Sequence, residues 1–133
     1  MRHQILSDES LDVMREIWAR GEASVNTVWA ALNASRRKKV RRTTVQVQMT
    51  RLERYGWLSR RKSGREFIYT ALWGKDETVG DLLSSLARRL YRGSFFELAR
   101  VLLTGVEFHP SEIRRIRTIL RGKAKRVAEG VRS

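Results

Sequence analysis

The chain contains no cysteine. That absence removes disulfides, thiolate nucleophiles and thiolate metal ligands together. Histidine is nearly as scarce: His3 and His109 are the only two, far apart and without a nearby carboxylate cluster. No metal site and no cofactor is expected from them. No apolar run approaches the roughly 18–20 residues of a membrane span, and Asp8, Glu9 and Asp12 interrupt the start where a signal peptide would be apolar. The expectation is a cytoplasmic protein with no membrane insertion. A glycine-rich phosphate loop, a nucleophile triad and paired carboxylates beside a histidine are all missing, so enzyme chemistry has little support.

What the chain has is positive charge. Its 133 residues carry 28 Lys+Arg against 14 Asp+Glu, a formal net charge of +14. Such an excess calls for a polyanionic partner. The charge is also concentrated. Between Ser35 and Arg65 there are twelve Lys or Arg and one acid, Glu53.

Ser7 followed by Asp8 and Glu9 reads as a helix cap with acids in the first turn. Leu11, Met14, Ile17 and Trp18 recur at helical spacing, and Gly21 ends that helix. Ser24 caps a second, short helix with Val25, Val28, Trp29 and Leu32 on its apolar side. Trp18 and Trp29 are read as core packing rather than a ligand cage. A basic loop runs from Ser35 to Arg42, with Thr43 as the expected cap of a third helix that Gly56 closes. Two β-prone runs, Trp57 to Arg61 and Phe67 to Leu72, flank Lys62-Ser63-Gly64-Arg65, where Ser-Gly fits a tight hairpin turn. Three helices and a hairpin are the order of a winged helix-turn-helix domain.

The third helix is the most informative element. Val45, Met49 and Leu52 share one side at 3.6 residues per turn. Thr43, Val47, Thr50 and Arg54 face the other way, flanked by Thr44, Gln46 and Arg51. That outer face carries what base edges in a major groove require: amides, hydroxyls, guanidinium forks and a small apolar contact for a thymine methyl. Gln46 suits adenine, Arg51 or Arg54 suits guanine or phosphate, and Val47 suits a methyl; Gln48 lies nearer the core side. Arg41 and Arg42 flank a helix N-terminus, which itself attracts phosphate. Arg60, Arg61, Lys62 and Arg65 fall on the hairpin and are assigned to phosphate, which positions without reading sequence. A solvated basic face is the ordinary meaning of a charge run. Here the run coincides with the one element whose shape fits a groove.

Beyond Trp73-Gly74, Val79, Leu82, Leu83, Leu86 and Leu90 form a narrow apolar stripe on a helix that opens near Asp76 and Glu77 and stops at Gly93. Phe95, Phe96, Leu98, Ala99, Val101, Leu102 and Leu103 make a second, very apolar helix. The single proline, Pro110, suits the first turn of a third, with His109 as cap and Ile113, Ile116, Ile119 and Leu120 as its apolar face. These helices carry more apolar surface than so small a unit buries alone. The expected use is a dimer interface through Val79, Leu82, Leu83, Leu86, Leu90, Phe95, Phe96, Val101, Leu102, Ile116 and Leu120. The chain is thus read as mainly α with a small β-hairpin wing: a winged helix over residues 1–74, a helical dimerisation unit over 75–122, and a basic, frayed tail over 123–133.

At this point the sequence resembles the penicillinase-repressor family of bacterial transcription regulators. The resemblance is carried by Leu6-Ser7-Asp8 with Val13-Met14 and Ile17-Trp18, then Thr44-Val45, Thr50-Arg51-Leu52, Gly56-Trp57-Leu58 and Phe67-Ile68-Tyr69. It continues through Tyr91-Arg92-Gly93-Ser94-Phe95 and Ser111-Glu112-Ile113, covering residues 5 to about 121. It implies a homodimer that represses transcription by occupying a palindromic operator in double-stranded DNA. The family's copper-responsive branch carries C-terminal cysteine pairs, which this chain lacks. Its β-lactam-responsive branch is cut at an Asn-Phe bond, and a gapless count from Gly93 places Val101-Leu102 there instead. An upstream sensor-protease partner therefore has no support in these residues. The rival reading is a basic RNA-binding or nucleoid-type protein that recognises only charge and shape. Single-stranded RNA readers present aromatic platforms, and Phe67 and Tyr69 are too few to make one.

Overall fold

The computed structural model describes residues 6–34 and 36–132. His3 and Ser35, the first residue of the expected basic loop, lie outside the described residues. The chain divides into two compact units, residues 1–86 and 87–133. The division falls twelve residues later than the expected boundary after Gly74, inside a helix.

Helix α1 (Asp8–Arg20) starts where expected: the Ser7 hydroxyl accepts the Ser10 N–H at 3.2 Å. It ends at Gly21, whose φ of 85° lets its N–H return to the Ile17 carbonyl at 2.8 Å. A three-residue strand, β1 (Glu22–Ser24), follows. Ser24 then caps α2 (Val25–Ala34), its hydroxyl accepting from the Thr27 N–H at 3.1 Å. Helix α3 (Arg42–Arg54) leads into strands β2 (Leu58–Ser63) and β3 (Glu66–Ala71). The sheet is antiparallel in the order β1-β3-β2, so the expected hairpin has gained a third strand on its inner edge. The hairpin turn is Gly64-Arg65, one residue later than Ser-Gly, because Ser63 still pairs with Glu66. Gly64 takes φ 63° as the first of the two turn residues, the place a II′ turn reserves for glycine.

One core holds this unit together. Val13, Met14 and Ile17 of α1, Val28 of α2, Val45 and Met49 of α3, and Trp57, Leu58 and Tyr69 of the wing are all buried in it. The other three tryptophans pack at its edge, and each indole N–H latches a loop carbonyl. Trp18 donates to Trp73 O at 2.8 Å, Trp73 to Gly56 O at 3.0 Å and Trp29 to Val40 O at 2.9 Å. Trp18 and Trp29 are packing residues, as expected, and Trp73 joins them.

The joint between α3 and the wing is a Schellman turn: Trp57 N–H bonds to Leu52 O at 2.9 Å and Gly56 N–H to Glu53 O at 3.1 Å, with Gly56 at φ 84°. A Cβ at Gly56 would meet nothing within 4 Å, so a side chain there is penalised by backbone conformation alone. Gly56→Ala should therefore cost about 1 kcal/mol, the usual penalty of forcing an L-residue into this region. Thermal unfolding should show a fall of a few degrees, and an unchanged midpoint would mean that the turn relaxes without strain.

The second unit contains the end of α4 (Lys75–Tyr91), all of α5 (Phe95–Gly105) and all of α6 (Pro110–Arg132). Arg92 and Gly93, at φ 52° and 89°, break the chain between the first two. The Ser94 hydroxyl caps α5 by accepting from the Glu97 N–H. His109 and Glu112 cap α6 reciprocally: Ser111 N–H donates to His109 Nδ1 at 3.2 Å, and His109 N–H to Glu112 Oε1 at 2.9 Å. The expected frayed tail is instead helix, because α6 runs on to Arg132. Ala124, Lys125, Arg126, Ala128 and Glu129 are good helix formers, and no proline stops them.

Candidate nucleic-acid interface

Helix α3 sits on the domain by one face only. Val45, Met49 and Leu52 are buried, while Arg42, Thr43, Thr44, Gln46, Val47, Arg51 and Arg54 are exposed and Thr50 is half-buried at the margin. Val47 stands out among them, a β-branched apolar side chain left 56% exposed on an otherwise polar face. Gln48 is half-buried, in keeping with its place nearer the core.

The N-terminus of α3 corrects one expectation. The cap position belongs to Arg41, which is extended (φ −78°, ψ 148°) and makes no side-chain cap bond; Thr43 lies inside the first turn. The start point is set from a distance. Asn33 grips Val40 with both ends of its amide, accepting from the Val40 N–H at 2.8 Å and donating to the Val40 carbonyl at 3.0 Å. The Trp29 indole shares that carbonyl. Val40 is thus pinned and the helix begins two residues later. The consequence is a helix end that lacks a side-chain cap and is flanked by Arg41 and Arg42, which favours an anion. The loop before it is less free than its composition implies, since Arg36 Nη2 pairs with Asp12 Oδ2 at 2.7 Å and Lys39 Nζ donates to Asn33 O at 2.6 Å.

On the wing the four cations are not equivalent. Arg60 lies across from Tyr69 on the face that turns toward the core. Its guanidinium stacks 4.1 Å from the Phe67 ring centroid, and its Nε approaches Glu53 Oε2 of α3 at 2.8 Å. Arg61 points to the opposite face, and its Nη2 donates to both carboxylate oxygens of Glu22 at 2.9 and 3.0 Å. Lys62 and Arg65 have no ion-pair partner among the described residues. So two of the four expected phosphate ligands are already engaged within the protein. Exposed pairs of this kind are worth only about 0–1 kcal/mol, so they bias rather than forbid an exchange for phosphate.

Between α3, the start of α2 and the wing lies a cleft of about 250 Å³, lined by Asn26, Arg42, Gln46, Thr50, Arg65 and Phe67 among others. Asn26 is the functional candidate that sequence reasoning missed. Its Oδ1 accepts from Arg42 Nε, its Nδ2 donates to Glu66 Oε1 at 3.4 Å, and Arg42 Nη1 in turn donates to Gln46 Oε1 at 3.2 Å. No local pattern announces this, because the partners are 16 and 40 residues away from Asn26. The arrangement offers hydrogen-bond donors and positive charge to a ligand.

None of the described helices is long and apolar enough to cross a membrane. The family model described as "Penicillinase repressor" matches residues 6–122. The chain is 27% identical over 124 residues to the penicillinase repressor of Bacillus licheniformis, which covers 93% of this chain and 95% of that one. It is 25% identical over 118 residues to the methicillin resistance regulatory protein MecI of Staphylococcus aureus, covering 89% and 94%. Among solved structures, the monomeric form of Bacillus licheniformis BlaI in complex with the blaP half-operator is similar at 31% identity. That similarity covers 58% of this chain and 90% of that one, with a TM-score of 0.48. With the family match running through both compact units, the chain belongs to the penicillinase-repressor family.

Proposed function

We propose that this chain is a DNA-binding repressor that acts as a homodimer on a palindromic operator in the bacterial cytoplasm, carrying out no catalysis of its own. The observation that carries the reading is α3: a helix buried along Val45, Met49 and Leu52 that leaves amides, hydroxyls, guanidinium groups and one apolar side chain exposed beside an N-terminus without a side-chain cap. In this reading Thr43, Thr44, Gln46, Val47 and Thr50 face base edges. Arg41, Arg51, Arg54, Lys62 and Arg65 take phosphate, joined by Arg60 and Arg61 where phosphate displaces their carboxylates.

The dimer is supported by the apolar side chains that one copy leaves uncovered. Val79, Leu83, Leu86, Leu90, Phe95, Phe96, Val101, Leu102 and Leu120 are exposed, Leu82 and Ile116 half-buried, and α5 has no buried residue at all. A monomer rarely leaves so many large apolar side chains uncovered, whereas obligate interfaces resemble a divided core. The RNA-platform alternative is disfavoured by the wing itself, since Tyr69 is buried and Phe67 is covered on one face by Arg60.

Titrating duplex DNA at several salt concentrations tests the reading. If about 6 phosphates are contacted per dimer, the log–log slope should be near −5. Lys62→Ala with Arg65→Ala should weaken operator and random duplex by similar factors and make the slope shallower. Arg61→Ala should do less, because its guanidinium already serves Glu22. A slope near zero, or equal competition by single-stranded RNA, would remove the duplex-binding function.

A further inference from the structure

The cleft beside α3 fixes what Gln46 can say to a base. A glutamine amide has one acceptor end and one donor end, and the pairing usually drawn with adenine uses both, the oxygen accepting from N6 and the nitrogen donating to N7. Here the oxygen is turned toward Arg42, and one of its two lone pairs is engaged there. Arg42 Nη1 donates to Gln46 Oε1 at 3.2 Å from one helical turn away. Arg42 is itself held, through its Nε, by Asn26 Oδ1, and Asn26 Nδ2 donates to Glu66 Oε1 at 3.4 Å.

The polarity of that chain has only one solution. A carboxylate accepts and cannot donate, so Glu66 requires the NH₂ end of Asn26. The amide oxygen of Asn26 then faces a guanidinium, which donates and cannot accept. The same guanidinium requires the oxygen of Gln46, because turning that amide over would set donor against donor. A charged donor also holds the oxygen more strongly than the neutral amine of adenine could, since charge-assisted hydrogen bonds are roughly twice as strong as neutral ones. The end turned away from Arg42 is Nε2 with its two hydrogens, and it has no protein partner among the described residues.

Resting on the duplex-DNA reading above, we propose that Asn26 and Arg42 hold Gln46 with its NH₂ end turned outward, so that it reads as a donor, selecting the keto base of its target pair (guanine O6/N7 or thymine O4) over the exocyclic amine. Gln46 is the specificity-determining residue, and Asn26 is a positioning residue that acts through Arg42 without touching DNA. This replaces the adenine pairing that the sequence alone favoured.

The test uses the full chain. Selection from a random duplex library gives the preferred site, and Gln46→Ala identifies the base pair at which discrimination disappears. Every pair holds one keto and one amino base, so that pair is then altered atom by atom. Purine in place of adenine, or 2-pyrimidinone in place of cytosine, removes the amine. The keto oxygen is removed by 2-aminopurine in place of guanine, or 5-methyl-2-pyrimidinone in place of thymine. Gln46→Ala on the same duplexes corrects for any loss of duplex stability. The expected result is that losing the keto oxygen weakens the wild type roughly tenfold, a modest value for one good base contact, while Gln46→Ala and both proteins on amine-free duplexes stay within about twofold. A tenfold loss on removing the amine, present in the wild type and absent in Gln46→Ala, would overturn the assignment. So would a Gln46→Ala variant that still discriminates at every pair. Asn26→Leu should shrink the keto-oxygen penalty to about threefold while keeping the wild-type melting temperature, and full selectivity in a folded Asn26→Leu protein would overturn the positioning role. If selection enriches no duplex at all, the DNA-binding reading falls first, and this inference falls with it.

Discussion

Leu90→Glu combined with Phe96→Glu should convert the protein to a monomer and lower operator affinity by about two orders of magnitude, as expected when two linked half-site contacts become independent. Both side chains are more than 60% exposed in one copy of the chain. Glutamate at either place leaves no cavity behind, so the fold of the single copy should survive. In a two-fold assembly each substitution occurs twice, and the interface would have to desolvate four new carboxylates in an apolar setting. Affinity for random duplex should change far less than operator affinity, because the core from Leu6 to Tyr69 and the basic surface on it are intact in each monomer. Sedimentation at micromolar concentration reads the assembly directly. A double variant that remains dimeric would move the interface elsewhere, and a monomeric wild type with full operator affinity would end the dimer proposal. The proposed pairing carries a geometric demand as well: if the operator is a palindrome read by two copies, its half-sites should be spaced by about one or two helical turns of DNA.

How much of this was legible in the sequence depends on how far apart the causes lie. Helix starts and stops set by neighbours were readable: Ser7 and Ser24 as caps, Gly21 and Gly56 as C-terminal glycines, His109 at the start of α6. The inner face of α3 was readable too, because burial of Val45, Met49 and Leu52 follows from helical period alone. Features fixed by remote partners were not. Strand β1 is three residues long and exists because Glu22, Ala23 and Ser24 find Thr70, Tyr69 and Ile68 opposite them. The start of α3 was misplaced at Thr43 because Asn33 and Trp29 pin Val40, and nothing in the local pattern says so. Arg61 looked like a free phosphate ligand, yet Glu22, 39 residues earlier, holds it. The tail was misread for a different reason: its polar, basic composition hid residues that are individually good helix formers and simply continue α6. The candidate site therefore emerged from the sequence as a surface, while its internal wiring through Asn26, Arg42 and Glu66 required the fold.

Trp57 and Val47, ten residues apart, should separate stability from recognition. Trp57 is the largest fully buried side chain, 1% exposed, and its backbone is tied on both sides, by N–H to Leu52 O and by carbonyl from Leu72 N–H, each at 2.9 Å. It is the point from which both α3 and the wing hang. Trp57→Ala should cost about 3–5 kcal/mol from lost burial and an unfilled cavity. Since whole domains are stable by only about 5–15 kcal/mol, that is a large share. The unfolding midpoint should fall on the order of 10–25 °C, and specific and random DNA binding should be lost together as the helix and wing lose their common support. Val47→Ser should do the reverse. The side chain is more than half exposed and lies outside the buried core cluster, so the melting temperature should stay within a degree or two of wild type. Operator preference should still erode, by less than the roughly 1–3 kcal/mol of a bidentate base contact, because a methyl contact on thymine is apolar and small. Thermal unfolding of both variants, set beside their affinities for selected and random duplex, gives the comparison. A Trp57→Ala protein that melts within a few degrees of wild type would show that the joint between helix and wing does not depend on the indole. A Val47→Ser protein with undiminished operator preference would take Val47 off the reading face.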